Sequence, residues 1–305
     1  MSNTNDEFSD FRPMDKDSAA DFEPYRYCNT FADTAFAMLY SWHKRFFYRY
    51  KMYRDVLAVT GVDTDGERVF ILLRKNHSVS IDEAVAEICG LCRDEGRKAI
   101  FEYVASSEIP FYRQAAAACG RDVFFSYDDK YSDYIYETKK FVSMKGAPAK
   151  TKRGGYNFLM RNCPGIRAVP YTDSLFGVCV GIFDAWCAER KCGDCFYGCE
   201  KEAFRSFMEI YDPERHKILL AYDGNTPMSF LAYEQINPDT MCYYFQKNGV
   251  KQRGLTYWLN REAAFQHMEI KYINLEEDMG IPGIAEDKQS LRPCGKLDKY
   301  TAVFE

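Results

Sequence analysis

No stretch of the chain approaches the roughly 18 consecutive apolar residues that a membrane-crossing helix needs. The longest candidate, SLFGVCVGIFDAW at 174–186, is too short and carries Asp184. The opening residues, MSNTNDEFSDFRPMDKDSAADFEPYRY, lack the basic start and apolar run of a secretory signal, so a cytoplasmic location is expected. Histidine is scarce, with four residues at 43, 77, 216 and 267. There is no Gly-x-Ser-x-Gly elbow, no P-loop, and no Gly-x-Gly-x-x-Gly after a strand, which removes the usual marks of serine hydrolases and nucleotide-binding folds. An excess of positive charge is missing too. The formal net charge of −5 argues against a generic nucleic-acid coat protein.

What is present is enough apolar sequence for a full core. The 305 residues are 47% hydrophobic, with 23 Tyr and 23 Phe, a size that suits two domains. The 12 cysteines, in a chain expected inside the cell, read as thiols or metal ligands rather than a disulfide framework. Four of them lie close together in CAERKCGDCFYGC: Cys187, Cys192, Cys195 and Cys199. Thiolates at such spacing can hold zinc or an iron–sulfur cluster. The alternative is a set of reduced cysteines on a helix end and loop.

Residues 1–25 read as a loose lead-in, followed by a helix or helix-turn in FADTAFAMLYSWHKRFFYRY. VLAVTGV and RVFILLR around DTDGE predict a β-hairpin. A helix is expected at 81–96, a strand at 98–104, a helix at 109–120 and a strand at 122–129. Residues 131–162 read as mostly helical, with a break at 146–148. A short strand at 167–171 and a helix to about 190 come next. The second half reads as a helix at 201–211, three strands within 218–247, a helix at 254–268, a strand in KYINLE, a helix at 284–291 and a strand at 299–304. The same order of elements occurs twice. It predicts an α+β protein of two similar domains with mixed, mostly antiparallel sheets, divided into 1–172 and 173–305.

Three stretches carry a more specific likeness: FADTAFAMLYSWHKRF, YETKKFVSMKG…KTKRGGYNF, and YINLEEDMGIPGIAEDKQSLRP. In this order they resemble a bacterial family of tandem GNAT-fold (N-acetyltransferase-fold) proteins related to the C-terminal catalytic region of phosphatidylglycerol lysyltransferase, over about residues 30–305. Asn274, Glu276, Glu277, Asp278, Gly280, Gly283, Lys288 and Pro293 fall in that family's pattern. So do Lys152, Arg153 and Asn157, whereas Gly154 and Gly155 stand where the family carries Asn and His. The resemblance implies an acyl- or aminoacyltransferase.

The chemistry expected from these residues has an acidic and a basic side. Glu276, Glu277 and Asp278, with Asn274, are the candidates to bind an ammonium group or deprotonate an attacking amine. Strand alternation would send Glu276 and Asp278 to one face and Glu277 to the other. The competing reading is a solvated strand end, or an acidic cap for the helix beginning near Ile281. The basic side is the segment 139–161, expected from the first half, with interleaved tyrosines and phenylalanines suited to a phosphate-bearing partner such as CoA or aminoacyl-tRNA. Lys152, Arg153 and Asn157 are its leading residues, and Lys247, Gly254 and Asn260 join the donor-binding candidates. A CoA-using GNAT protein carries Gln/Arg-x-x-Gly-x-Gly/Ala ahead of the helix that receives the pyrophosphate. KQRGLTY at 251–257 keeps only Gly254 in place. The expected function is therefore transfer of an acyl or aminoacyl group to an amine or hydroxyl. A CoA-dependent N-acetyltransferase and a non-catalytic module for a phosphate-bearing ligand are the alternatives.

Overall fold

The computed structural model describes residues 8–28, 30–143, 150–190 and 198–305. Along the chain run β1 (Arg12–Pro13), α1 (Ala19–Phe22), α2 (Phe36–Phe46), β2 (Arg49–Tyr53), β3 (Val56–Val62), β4 (Arg68–Arg74), α3 (Asp82–Asp94), β5 (Ala99–Ala105), α4 (Ile109–Cys119) and β6 (Val123–Tyr127). There follow β7 (Asp133–Glu137), α5 (Thr138–Ser143), α6 (Lys150–Asn162), β8 (Ile166–Pro170), α7 (Phe176–Arg190), α8 (Glu200–Glu209) and β9 (His216–Asp223). The chain ends with β10 (Thr226–Asn237), β11 (Thr240–Asn248), α9 (Leu255–Phe265), β12 (Tyr272–Asn274), α10 (Pro282–Ser290), β13 (Gly295–Leu297) and β14 (Lys299–Phe304).

The first compact unit comprises residues 1–131, 205–210 and 297–305. Its sheet has the order β1-β2-β3-β4-β5-β14-β6. The β3–β4 hairpin forms where DTDGE predicts it. Asp63 Oδ1 accepts the N–H groups of Asp65 and Glu67, and Gly66 takes φ +86°, which a glycine adopts without strain. β4 and β5 run parallel, joined by α3, because a parallel neighbour requires a crossover. One face is sealed by Phe8, Phe11, Phe70, Phe101, Tyr112 and Phe304, with α3 and α4 supplying Val85, Ile88 and Ala115. Each such aromatic ring removed from water contributes about 1.5–3 kcal/mol.

The second unit comprises residues 132–204 and 211–296, with the sheet order β13-β7-β12-β11-β10-β9-β8. β9, β10 and β11 form an antiparallel meander, α9 crosses over, and β12 pairs parallel to β11. Meander, helix and parallel strand thus recur in both units, the α+β tandem GNAT-like arrangement. Leu231, Tyr233, Tyr243, Leu255, Trp258, Leu259 and Ile273 form the core that positions the acidic stretch.

Two assignments differ from the sequence reading. Residues 133–137 are a strand, β7, and not part of a helical stretch. All but the last of its residues are buried, so the alternation that marks a half-exposed strand is absent. β14 does not close the sheet of the second half. It lies between β5 and β6 in the first unit. The division expected at 172/173 accordingly differs from the division by contacts, and the described part of the basic segment 139–161 belongs to the second unit.

Candidate functional site

The acidic stretch is held by β7, β12 and α10. β12 ends at Asn274, whose side-chain oxygen accepts the Glu276 N–H at 2.7 Å. Such an Asx turn takes over where the ladder stops. Glu276 then adopts φ +60° and Met279 φ +54°. The strand alternation expected for residues 276–278 is therefore broken. Asn274 is fully buried and donates through Nδ2 to Asp133 Oδ2 at 2.7 Å. Asp278 is buried as well, accepting the Tyr134 hydroxyl at 2.6 Å and the Gly280 N–H at 2.8 Å. It organises the turn before α10 but makes no side-chain cap to that helix. Glu276 and Glu277 are half-buried. Of the three carboxylates, these two are the less buried.

Lys288 closes the loop from α10. Its ammonium donates to the backbone carbonyls of Leu275 (2.6 Å), Glu276 (3.1 Å) and Glu277. Three carbonyls around one ammonium fix the path of the acidic loop and place a fixed positive charge beneath it. The preceding residue, Asp287, receives Lys152 Nζ at 2.5 Å. α10 therefore ties the leading lysine of the basic segment to the helix that anchors the acidic loop, within one unit. Tyr136 adds a bond from its hydroxyl to the Lys288 carbonyl at 2.8 Å. Glu276 also acts electrostatically on Tyr244, which donates to Glu234 at 2.6 Å. Burial first, and then the neighbouring acidic groups, hold the Tyr244 hydroxyl far above its ordinary pKa.

The remaining candidates divide. Arg153 is half-buried and Asn157 exposed on α6. Lys152 is occupied by Asp287. Lys247 is buried, with its ammonium 2.6 Å from Glu200 and 4.6 Å from the Trp186 ring centre, so it fastens α7 and α8 to β11. Asn260 is buried in α9. Its carbonyl accepts the Tyr243 hydroxyl at 3.2 Å, and its Oδ1 has no hydrogen-bond partner among the described residues. Of the cysteine cluster, Cys187 is half-buried and Cys199 exposed. Cys192 and Cys195 lie outside the described residues. Sequence reasoning missed Asp133 and gave Tyr134 no individual role, because β7 read as helix. Lys288 was visible in the motif without its carbonyl contacts.

Gly254 occupies the start of α9 at φ +89°. A Cβ there would lie 2.2 Å from the Gly155 carbonyl oxygen. In the opposite direction, a Cβ on Gly155 would meet Gly254 Cα at 3.4 Å. α6 and the first turn of α9 are thus in backbone-to-backbone contact. The glycine at 254 is what permits that approach, whereas at 155, a departure from the family pattern, a Cβ would reach only ordinary contact distance. The Leu255 N–H is already spent on the Gln252 carbonyl at 3.2 Å. The turn that would cradle a pyrophosphate instead faces a carbonyl oxygen.

The family profile described as "Phosphatidylglycerol lysyltransferase, C-terminal" matches residues 26–303. A search of curated proteins returns no match. Among solved structures, a conserved Bacteroides thetaiotaomicron protein of unknown function is similar at a TM-score of 0.85 and 20% identity, over 97% of this chain and 99% of that one. The C-terminal domain assigned to a lysylphosphatidylglycerol synthetase from Agrobacterium fabrum is similar at 0.61 and 14% identity, over 94% and 92%. FemX is similar at 0.54 and 8% identity, over 93% and 96%. At these identities the likenesses establish the fold.

Proposed function

The chain belongs to the phosphatidylglycerol lysyltransferase C-terminal family, a family of acyl- and aminoacyltransferase type, and from that premise we propose that it moves an aminoacyl group from a tRNA-borne ester to an amine or hydroxyl acceptor. The observation that carries the choice of donor is the contact of Gly155 with Gly254. A CoA donor needs free amide groups at the start of α9. Here a carbonyl oxygen stands over that turn and would repel a pyrophosphate. An RNA-borne donor makes no such demand.

In this reading Glu276 and Glu277 hold the donor's α-ammonium group or accept the proton of the attacking nucleophile. Asn274, Asp278 and Lys288 hold the loop on which those two carboxylates sit. No covalent enzyme intermediate is required. The acceptor attacks the ester carbonyl directly, the carbon–oxygen bond to the ribose breaks, and the ribose hydroxyl takes up a proton. Rate is gained by alignment and by fixed charges around the developing oxyanion.

The test is protein-dependent loss of label from aminoacyl-tRNA, measured across a panel of charged tRNAs, with amines and phosphatidylglycerol vesicles as acceptors. Acetyl-CoA runs in parallel. Glu276→Gln and Glu277→Gln are expected to lower transfer at least about 100-fold, the range for loss of a general base. Acetyl transfer from CoA with no consumption of any charged tRNA would overturn the donor assignment. Wild-type rates in both variants would overturn the assignment of the carboxylates.

A further inference from the structure

Four strands stand at sheet edges: β1 and β6 in the first unit, β13 and β8 in the second. An edge strand offers unpaired N–H and C=O groups to any other strand, and proteins blunt such edges with short length, proline or charge. Three of the four are blunted in this way. β1 is two residues long and ends in Pro13. β13 is three residues long and carries Lys296. β8 carries Arg167 and ends in Pro170. β6 has none of these devices. Its five residues read VFFSY, without a charge, a proline or a glycine. Phe124 is 57% exposed and Tyr127 53%.

The ladder with β14 fixes which backbone groups are left over. β6 and β14 are antiparallel, and the Asp122 carbonyl accepts the Glu305 N–H at 3.1 Å. Alternate residues of such a strand face the partner. Phe124 and Ser126 therefore spend their backbone groups on β14, and those of Val123, Phe125 and Tyr127 point out of the sheet. Among the described residues no further strand pairs with them.

We propose that β6 pairs antiparallel with β6 of a second copy of this chain, about a twofold axis at Phe124, joining the two first-unit sheets edge to edge. The choice of occupant follows from the stretch Arg121–Tyr127, which is complementary to itself in that register. Phe124 lies opposite its own copy, Val123 opposite Phe125, Asp122 opposite Ser126 and Arg121 opposite Tyr127. Val123 and Phe125, whose backbone groups point outward, form the hydrogen-bonded pairs. The Phe124 pair is then a non-hydrogen-bonded one, in which side chains approach most closely. Asp122 gains a hydroxyl donor and Arg121 a ring face. Neither of these two side chains has an ion pair among the described residues. Centring the pair on Phe125 would set Asp122 against Asp128, and like charges directly opposite are unfavourable. Centring it on Ser126 would set Phe124 against Asp128. The pairing is independent of the transfer reading.

Sedimentation velocity of the full chain over a series of rising concentrations is the test. A reversible monomer–dimer equilibrium is expected. Phe124→Lys places two ammonium groups face to face at the axis and removes the ring pair, and should weaken the dimer at least about tenfold. Ser126→Asp sets like charges opposite Asp122 and should weaken it roughly three- to tenfold, whereas Ser126→Lys sets opposite charges there and should tighten it. Phe265→Lys and Phe265→Asp carry the same charges to an exposed ring outside this strand and should leave the equilibrium unchanged. Melting curves check that each variant is folded. In hydrogen exchange, residues 121–127 should gain protection as concentration rises. A chain that stays monomeric at every concentration overturns the pairing and leaves the edge to a strand from a different protein. A dimer that survives Phe124→Lys overturns the surface. Equal effects of the two Ser126 substitutions, or equal effects at Ser126 and Phe265, overturn the register.

Discussion

Glu102 shows how a single residue can tie stability to pH. It lies on β5 beside Tyr103, which takes φ +55°, where the pairing of β5 with β14 shifts register. The bulge turns the Glu102 carboxyl into a half-buried position facing Tyr48, with Asp33 and Asp63 nearby. Burial first, and then those two acidic neighbours, push its pKa from 4.5 to about 7. The folded protein therefore holds a proton that the unfolded chain releases earlier. Stability from this group is complete below pH 4.5 and is lost as pH rises toward 7. The shift corresponds to at most about 3 kcal/mol, and solvent screening of a partly exposed carboxylate lowers it. Glu102→Gln stays neutral throughout. Its melting temperature should match the wild type near pH 5 and exceed it near pH 8. Parallel curves across that range would show that Glu102 is charged in the folded state at every pH.

At the scale of elements, the helices fasten the site. α10 carries Lys288 under the acidic loop and Asp287 against Lys152, while α6 and α9 touch through two glycines. Those glycines are not equivalent. At Gly254 a side chain meets both a left-handed backbone and the Gly155 carbonyl, so Gly254→Ala should cost about 2–4 kcal/mol. At Gly155 the added methyl reaches only ordinary contact distance, and alanine favours a helix interior, so Gly155→Ala should stay within about 1 kcal/mol of the wild type. Chemical denaturation of both variants measures the contrast, and equal losses would show that the two helices do not approach as described. Elements with a clear signature were legible in the sequence. The Asp-Gly hairpin, the meander of the second half and the helices flanking it fall close to where the pattern predicts them. β7 was not legible, because burial on both faces of Asp133–Ile135 removes the alternation that distinguishes a strand. In the site, the sequence could point to the acidic triplet but could not sort it. The sorting follows from Asn274 capturing the Glu276 amide and from Tyr134 capturing Asp278, contacts between residues about 140 positions apart in the second case.

Over the whole chain, sequence order and spatial order part company at the last strand. β14 follows every element of the second unit, yet its residues Ala302 and Phe304 are fully buried in the core of the first. Phe304 packs edge-on against Phe101 at 5.2 Å and against Tyr112 at 6.5 Å, and its backbone pairs with Ala99 and Val123. The first sheet is therefore incomplete until residues 299–304 are made, since among the described residues β6 has its ladder partner only in β14. Phe304→Ala leaves a cavity among those rings and should cost about 3–5 kcal/mol, a typical price for such a truncation. Where the loss appears is the sharper test. Hydrogen exchange followed by peptide mapping should show lost protection in 99–105 and 123–127, more than 170 residues from the substitution, with 226–248 retaining its own. Were the terminal strand part of the sheet nearest to it in sequence, 226–248 would be the segment to lose protection, because β9, β10 and β11 would then share the damaged core. The direction of that loss follows from which aromatic rings surround Phe304, and these all come from the first 112 residues of the chain.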